Sequence, residues 1–276
     1  MSSILTRIVE QTTEDLQKRK KQVSFHELGS FELYEKTRRD FAESLRNGSK
    51  ELISIIAEVK KASPSKGVIR SPFDPMKIAE EYVEGGASAI SVLTDKPFFQ
   101  GDLKFLSNLS KEINIPLLQK DFIIDPYQIK EAKAYGADAV LLIATLTSVS
   151  QLNELLHATE EFELQALVEC YNRKDMEKLD WEKVKIFGVN NRDLNTFKVD
   201  IHRGIDLLKQ SPPDTVRVSE SGLSSSDDLK VLMDNDIDAA LIGEHFMREP
   251  SPGEALKLML QQLKKYRNEQ TDKFSN

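Results

Sequence analysis

The stretch that decides the fold covers residues 55–67 and reads Ile55-Ile56-Ala57-Glu58-Val59-Lys60-Lys61-Ala62-Ser63-Pro64-Ser65-Lys66-Gly67. Its apolar, β-branched beginning is typical of a buried parallel strand, and its end is rich in charged and turn-forming residues. Side chains alternate along a strand, so Glu58 and Lys60 share one face. Because burying an ionisable pair is costly, the strand ends either in solvent or at a functional site.

The same pattern recurs along the chain. Eight short runs rich in Ile, Val and Leu lack clean alternation, as expected for strands that are covered on both faces. They are Leu52–Val59, Ala89–Leu93, Ile115–Leu118, Ala139–Ile143, Leu164–Val168, Val184–Val189, Thr215–Val218 and Ala239–Ile242. Between them lie helix-start signals such as Asp74-Pro75 and Asp125-Pro126, each a capping side chain followed by proline.

Strands that alternate with helices eight times predict an α/β fold, a (β/α)8 TIM barrel. The alternative is a doubly wound open sheet, but that fold usually has a Gly-rich phosphate turn after its first strand, where this chain has Lys61-Ala62-Ser63-Pro64. We predict a barrel domain over residues 49–266. A helical extension over residues 1–48 would pack on the barrel, and a polar tail would follow over residues 267–276.

The N-terminal extension does not fit the eightfold repeat. Apolar spacing predicts helices over Ile4–Lys21 and Phe31–Leu45. The extension could cover the bottom of the barrel or reach its top. We expect it to supply apolar cover to the upper wall of a pocket, because the polar rim alone cannot, and we expect the barrel to close its core without residues 1–45.

Composition limits the partners of the chain. A net charge of −7 and a pI near 5.3 argue against nucleic acid or a membrane surface as the main partner, while anionic small molecules stay possible. No apolar run approaches the roughly 18 residues of a membrane span, and no signal-peptide core is visible, so we expect a cytoplasmic protein. Cys170 is the single cysteine and the four histidines lie far apart, so we expect no metal site.

Polar or ionisable side chains follow almost every predicted strand. In TIM barrels the carboxyl ends of the strands form the rim that carries catalytic groups. The residues at these ends are Glu58 and Lys60, Thr94-Asp95, Lys120-Asp121, Glu169, Asn190 with Arg192, Ser219-Glu220-Ser221-Gly222 and Gly243-Glu244. A convergent set with two lysines and two glutamates is better explained by a catalytic site than by the chance polarity of strand ends.

Individual residues on this rim suggest roles. Lys120 is flanked by apolar sequence, so we expect a desolvated lysine whose proton is easier to donate. Glu169 ends a strand and could act as acid or base. Asn190 and Arg192 offer an amide and a forked cation that suit a carboxylate or hydroxyl groups.

The last two strand ends predict a phosphate site. Ser221-Gly222 and Gly243-Glu244 place glycine where main-chain N–H groups can approach a ligand. Loops after the seventh and eighth strands of such barrels commonly bind phosphate.

With these residues in place, the chain resembles the indole-3-glycerol phosphate synthase family, the ring-closing enzymes of tryptophan biosynthesis. The matching blocks run in order at strand spacing and span nearly the whole barrel. They are residues 56–67, Ser91-Val92-Leu93-Thr94-Asp95, Phe98-Phe99-Gln100-Gly101, residues 120–125, Gly136-Ala137-Asp138-Ala139, Leu167-Val168-Glu169, residues 188–194, Ser219-Glu220-Ser221-Gly222 and Gly243-Glu244.

The resemblance implies that the chain converts 1-(2-carboxyphenylamino)-1-deoxyribulose 5-phosphate to indole-3-glycerol phosphate with loss of CO₂ and water. It implies that Lys120 protonates the substrate carbonyl and that Glu169 serves the later dehydration. Lys60 would contact the substrate carboxylate and phosphate, Glu58 would position Lys60, and Asn190 would orient the substrate. The resemblance implies no metal and no organic cofactor.

The resemblance also implies the binding residues. Substrate contacts would come from Ser63, Phe99, Phe122, Arg192, Glu220 and Ser221, with the two phenylalanines around the aromatic ring. The phosphate would be bound by Lys60, Ser221, Gly222, Gly243 and Glu244. Two positions depart from the family pattern, Cys170 and His245, and the second replaces a hydroxyl group expected beside the phosphate.

Two other functions are compatible with a phosphate-binding barrel. A phosphoribosyl isomerase would typically use a Cys or Asp base with an Asp acid, whereas this rim favours Lys and Glu. A non-catalytic phosphate-binding barrel would need no set of two lysines and two glutamates. We expect a phosphorylated small molecule as the partner, and a monomer or a weak homo-oligomer.

Overall fold

The computed structural model of the chain describes residues 4–50, 52–193, 196 and 198–274. Its eight main strands are parallel, each hydrogen-bonded to its sequence neighbours, and the last pairs with the first to close a barrel. They are β1 (Ser54–Val59), β2 (Ala89–Leu93), β3 (Leu117–Lys120), β4 (Ala139–Ile143), β5 (Gln165–Cys170), β6 (Ile186–Asn190), β7 (Val216–Glu220) and β8 (Ala239–Ile242). The predicted (β/α)8 barrel is confirmed.

Four strands extend further than the apolar runs that predicted them. β3 continues to Lys120, β5 to Cys170, β6 to Asn190 and β7 to Glu220. The ladder continues because these residues still have backbone partners, as in the pairing of Lys120 with Leu93 and of Asn190 with Glu220. Apolar composition therefore ends before the strand does, since the upper part of the barrel interior is polar.

The barrel interior is built in layers from alternate strands. Ile56, Leu118, Leu167 and Val218 come from β1, β3, β5 and β7 and belong to one buried apolar cluster. Two residues further along the same strands stand Glu58, Lys120, Glu169 and Glu220. Strand side chains repeat every second residue, so these four groups form the layer directly above the apolar one.

Twelve helices are present in the described part of the chain. They are α1 (Ile4–Gln22), α2 (Phe41–Ser49), α3 (Pro75–Gly85), α4 (Lys96–Phe99), α5 (Leu103–Glu112), α6 (Pro126–Ala134), α7 (Val149–Glu161), α8 (Arg173–Met176), α9 (Ile201–Leu208), α10 (Ser226–Met233), α11 (Glu244–Arg248) and α12 (Pro252–Phe274). As predicted, Asp74 caps α3 and Asp125 caps α6, each accepting backbone N–H groups. None of these helices is long and apolar enough to cross a bilayer.

The extension agrees with one predicted helix and contradicts the other. α1 is present, but a continuous helix over Phe31–Leu45 is wrong. A 3-10 turn at Glu27–Ser30 is followed by irregular chain, and α2 begins only at Phe41, because Asp40 accepts a hydrogen bond from the backbone N–H of Glu43 at 2.8 Å.

A buried ion pair holds the irregular segment against the barrel. Arg39 donates from Nε to Asp138 at 2.8 Å, and its backbone N–H donates to the other carboxylate oxygen at 2.9 Å. Asp138 also accepts from the backbone N–H of Leu117 at the start of β3. The segment before α2 is therefore attached directly to the strand starts.

α2 seals the bottom of the barrel. Phe41 and Leu45 are completely buried, and with Ala42 they join the same apolar cluster as Ile56 and Leu118 inside the barrel. Residues of the extension therefore contribute to the barrel core, and the expectation that the barrel closes its core without residues 1–45 stays a prediction.

The C-terminal end contains no break at the predicted boundary. α12 continues past residue 266 to Phe274, so residues 267–274 are helical where a polar tail was expected. The division into an extension, a barrel and a tail stays a prediction.

We predict that Phe41→Ala lowers the free energy of unfolding by about 3–5 kcal/mol, the range seen when a buried phenylalanine is truncated. The matched control is Phe25→Ala, because Phe25 is 46% exposed and should cost distinctly less. Urea unfolding would measure both changes. Equal effects of the two substitutions would show that α2 is not part of the barrel core.

Candidate active site

One cavity of about 560 Å³ opens at the carboxyl ends of the strands. The structure brings every residue that the sequence proposed for the site to the wall of this cavity. These residues are Glu58, Lys60, Ser63, Phe99, Lys120, Phe122, Glu169, Asn190, Arg192, Glu220, Ser221, Gly222, Gly243 and Glu244.

Lys120 occupies the middle of the polar layer. Its ammonium nitrogen lies 3.3 Å from a carboxylate oxygen of Glu169 and 3.3 Å from one of Glu220. Asn190 donates to the other oxygen of Glu169 at 3.4 Å and accepts from the backbone N–H of Arg192 at 3.0 Å. Strands β3, β5, β6 and β7 thus deliver one connected set of polar groups.

The electrostatic setting of Lys120 differs from the sequence prediction. Burial alone would lower the pKa of Lys120, but the carboxylates of Glu220, Glu169 and Glu58 outweigh it and raise that pKa above its ordinary value. The expectation that the Lys120 proton is easier to donate was therefore wrong. The sequence shows the apolar flanks of Lys120, but not the three carboxylates that surround it.

Glu220 is the most deeply buried carboxylate of this layer, with 1% of its surface exposed. Burial raises its pKa; Lys120 lowers it, and the neighbouring charge of Glu169 raises it further. A side chain on Gly188 would collide with this carboxylate, so glycine on β6 makes room for Glu220.

A second ion pair joins Glu58 and Lys60 on β1 and just after it. Gly243 lies against this pair, since a Cβ atom there would stand 2.9 Å from the Cβ of Glu58. The sequence explained Gly243 by the approach of a ligand to the main chain. The structure shows an additional requirement, which is space for the Glu58 side chain.

The turn after β7 has an unusual backbone. Ser221 and Gly222 both adopt left-handed conformations, with φ of 70° and 78°. The Asn191 amide donates to the carbonyl of Ser221 at 3.0 Å and to the Ser219 hydroxyl at 2.9 Å, which holds the strained turn in place. Val199 packs where a side chain on Gly222 would lie.

Basic side chains complete this side of the cavity. Besides Lys60 and Arg192, its wall contains the cations Lys66 and Arg248, together with the imidazole of His245. The Arg248 guanidinium donates to the Glu244 carboxylate at 3.0 and 3.1 Å, so the charge of Glu244 is balanced within the site. This arrangement suits an anion such as a phosphate group.

The opposite wall is apolar. The rings of Phe99 and Phe122 lie in contact, with 6.0 Å between their centroids. Ile4, Leu5 and Ile8 of α1 also line the cavity. The extension therefore serves both ends of the barrel, with α2 at the bottom and α1 at the top.

Polar contacts fasten α1 beside the site. Lys20 pairs with Asp125 at 2.7 Å, and Arg19 pairs with the buried carboxylate of Glu131 on α6. The Tyr127 hydroxyl donates to the carbonyl of Val23 at 2.9 Å.

Some cavity residues were not proposed from the sequence. The apolar stripe of α1 was visible in the spacing of its isoleucines, and His245 had been singled out as a departure from the family pattern beside the phosphate, whereas Arg248 carried no signal beyond its distance from Gly243. Asn191 was quoted as part of a motif without a role, and only the structure shows its bond to Ser221. Leu194, the last residue of that motif, lies outside the described residues.

Comparison with known proteins agrees with this geometry. The profile of the family described as indole-3-glycerol phosphate synthase matches residues 5–259. The chain belongs to this family. It is therefore a carboxy-lyase of tryptophan biosynthesis that acts on a phosphorylated small molecule.

Curated relatives cover almost the whole chain. An indole-3-glycerol phosphate synthase of Salinibacter ruber is 48% identical over 265 residues, which is 95% of this chain and 97% of the relative. That of Campylobacter hominis is 46% identical over 89% of this chain and 95% of its own length. That of Campylobacter jejuni is 45% identical over 93% of this chain and 100% of its own length.

Among solved structures, KGPDC from Streptococcus mutans is similar with a TM-score of 0.60. It is 14% identical, and the match covers 78% of this chain and 98% of that one. The likeness supports the barrel fold alone.

The two departures from the family pattern lie in different settings. Cys170 is buried in the apolar cluster between the barrel and its helices and does not reach the cavity wall. Burial raises the pKa of its thiol well above the ordinary value. His245 does line the cavity, at the second residue of α11.

We predict that Gly243→Ala lowers kcat/KM by about 10²-fold, because a displaced Glu58 would shift Lys60 and misplacement by about 1 Å has that cost. Gly29→Ala is the control, since nothing lies within 4 Å of a Cβ atom at Gly29. Steady-state kinetics would measure both. An active Gly243→Ala variant with normal kcat/KM would show that the position of Glu58 is unimportant.

We predict that removing residues 1–9 raises KM at least several-fold while the circular dichroism spectrum is retained, because apolar cover of the cavity is lost. The truncation spares Arg19 and Lys20, so the rest of α1 stays attached to α6. Val9→Ala is the control, since Val9 does not line the cavity. An unchanged KM would mean that α1 does not contact the substrate.

Proposed function

We propose that this cavity closes the indole ring of 1-(2-carboxyphenylamino)-1-deoxyribulose 5-phosphate and releases indole-3-glycerol phosphate, CO₂ and water. The observation that carries the assignment is Lys120, held 3.3 Å from each of two carboxylates in the polar layer. Ring closure needs a proton donor at a carbonyl oxygen and carboxylates near a developing positive charge, and this layer supplies both.

In the first step the ring carbon that bears the carboxylate attacks the ketone carbon of the sugar. Electron flow from the ring nitrogen leaves positive charge on that nitrogen and negative charge on the former carbonyl oxygen. Lys120 polarises the carbonyl and gives its proton to this oxygen as the bond forms. The raised pKa of Lys120 does not prevent the transfer, because an alkoxide is a much stronger base than an amine.

In the next steps the carboxylate leaves as CO₂, and its bonding electrons neutralise the positive nitrogen. The new hydroxyl group then departs as water, while an adjacent carbon gives up a proton. We assign the acid/base work of this dehydration to Glu169, whose second oxygen is held by Asn190 at 3.4 Å. Glu58 and Glu220 stabilise positive charge on the ring system.

Binding is divided between the two sides of the cavity. We assign the aromatic ring to the wall of Phe99 and Phe122, and the phosphate to the turn of Ser221 and Gly222. Lys60 would contact the carboxylate and phosphate from the first strand. The remaining assigned contacts are Ser63, Arg192, Gly243 and Glu244.

The Ser63 hydroxyl supports a role in substrate binding. Its oxygen is buried and has no hydrogen-bond partner among the described residues. Ser63 belongs to a short hairpin that pairs Ala62–Ser63 with Gly67–Val68 after β1. A substrate oxygen would satisfy this hydroxyl.

We also propose a cytoplasmic protein that works as a monomer or a weak homo-oligomer and does not bind nucleic acid, as its acidic charge suggests. A phosphoribosyl isomerase is the alternative. The polar layer argues against it, because the residues that could act there are a lysine and glutamates, not the Cys or Asp base typical of that chemistry.

We predict that Lys120→Met lowers turnover by about 10²–10⁴-fold, the usual effect of a lost acid or base, while the far-UV circular dichroism spectrum is retained. Lys133→Met is the matched control, because Lys133 is also a buried, ion-paired lysine but lies outside the cavity. Formation of the indole product would be followed by its absorbance and fluorescence.

Inactive wild-type protein would refute the proposed function, and normal turnover by Lys120→Met would remove this lysine from the mechanism.

A further inference from the structure

A buried polar cluster lies beside the aromatic wall and takes no part in the proposed chemistry. It consists of Thr94, Asp95, Gln119 and Asp121, all of them buried. Burying two carboxylates is unfavourable unless hydrogen bonds compensate for the lost contact with water. The hydrogen-bond partners of these two carboxylates include backbone groups at and beside the two phenylalanines of the aromatic wall.

Asp95 fixes the helix that carries Phe99. Its carboxylate accepts hydrogen bonds from the backbone N–H groups of Phe98 at 2.8 Å and Phe99 at 3.2 Å. The helix α4 has only four residues, and a helix of one turn is unstable without such a cap. The position of Phe99 in the wall therefore depends on Asp95.

Asp121 fixes the other ring. One carboxylate oxygen accepts from the backbone N–H of Phe122 at 2.8 Å, and the buried Gln128 amide donates to the carbonyl of Phe122 at 2.9 Å. Side chains thus hold both backbone polar groups of Phe122. The loop after β3 would otherwise have no regular structure to place this ring.

Hydrogen bonds hold Asp121 within the cluster, and its charge acts on Asp95. The Thr94 hydroxyl donates to Asp121, and the Gln119 amide donates to Thr94 at 3.1 Å and lies 3.4 Å from Asp121. Burial, together with the neighbouring charge of Asp121, raises the pKa of Asp95 to about 6, although the N–H groups of Phe98 and Phe99 oppose the shift. The two aspartates therefore interact electrostatically as well.

We propose that Asp95 and Asp121 are positioning residues that hold Phe99 and Phe122 as a preformed wall for the aromatic ring of the substrate, an inference that rests on the proposed function. Neither carboxylate would exchange a proton with the substrate. Each acts through the backbone of one phenylalanine. Because the two rings are already in position, less conformational entropy is lost when the substrate binds.

The test separates the aromatic end of the substrate from its phosphate. Asp95→Ala should raise KM about tenfold and change kcat much less. The tenfold figure is the change in binding equivalent to the usual cost of removing a helix cap. Inhibition by inorganic phosphate should keep its wild-type inhibition constant. Asp95→Asn should restore KM, because asparagine caps a helix as well as aspartate does.

A matched control is available at Asp74. This residue caps α3 through two backbone N–H groups, of Met76 and Lys77, in the same way as Asp95 caps α4, but α3 carries no residue of the cavity wall, whereas α4 carries Phe99. Asp74→Ala should leave KM unchanged. A similar rise of KM in Asp74→Ala and Asp95→Ala would overturn the proposal, because it would show a general effect of cap removal.

A double-mutant cycle tests whether Asp95 acts through its ring. If it does, Asp95→Ala combined with Phe99→Ala should raise KM no more than Phe99→Ala alone. Additive effects would overturn the proposal, as would a rise in the phosphate inhibition constant equal to the rise in KM. Should Asp95→Ala fail to fold, Asp121→Ala combined with Phe122→Ala gives the same test at the second ring.

Binding of 2-aminobenzoate, followed by its own fluorescence, tests the wall without turnover. The wild-type protein should bind this aromatic acid about tenfold more tightly than Asp95→Ala does. If the wild type turns over no substrate, the proposed function fails, yet this affinity difference would still support the wall. Equal affinities, or no binding by the wild type, would overturn it.

Discussion

The arrangement of charges inside the barrel depends on Lys120, which is the single cation in a layer with three carboxylates. Glu58, Lys120, Glu169 and Glu220 come from alternate strands and share one level of the interior. Without the ammonium group, Glu169 and Glu220 would face each other as unbalanced buried acids beside the Glu58–Lys60 pair, and their mutual repulsion would be far larger than in water. The carboxylates attract the ammonium charge and so raise the pKa of Lys120 against the effect of burial, whereas burial, together with the charge of Glu169, raises the pKa of Glu220. The four side chains proposed for catalysis are therefore also the ones whose buried charges are unfavourable for folding.

The large side chains of this layer require small residues beside them and a close-packed apolar layer below. Gly188 and Gly243 lie where any side chain would meet the carboxylates of Glu220 and Glu58. Below the layer, the interior changes at once to apolar residues such as Ile56 and Leu167, which exclude water and support the charged groups from beneath. A rigid apolar floor keeps the polar groups at set distances, and preorganisation of this kind is what electrostatic catalysis requires.

The N-terminal extension connects folding with substrate binding. Phe41 and Leu45 complete the core at one end of the barrel, and Ile4, Leu5 and Ile8 complete the cavity wall at the other. The segment between them is attached to the barrel through Arg39 and Asp138. A part of the chain outside the eightfold repeat is thus needed at both ends, although the barrel topology itself is closed without it.

The sequence by itself determined the strand count, the barrel topology and the set of residues on the rim. These follow from local patterns, since each apolar run predicts a strand and each strand end in such a barrel points to the same face. It did not determine where the strands stop, why Phe31–Leu45 is not one helix, or that the pKa of Lys120 is raised. The strand ends depend on backbone partners in neighbouring strands, the irregular segment before α2 on the bond between Arg39 and Asp138, and the pKa of Lys120 on Glu169 and Glu220. These are contacts between residues far apart in the chain. Only the closed barrel brings these groups together, so only the tertiary structure decided them.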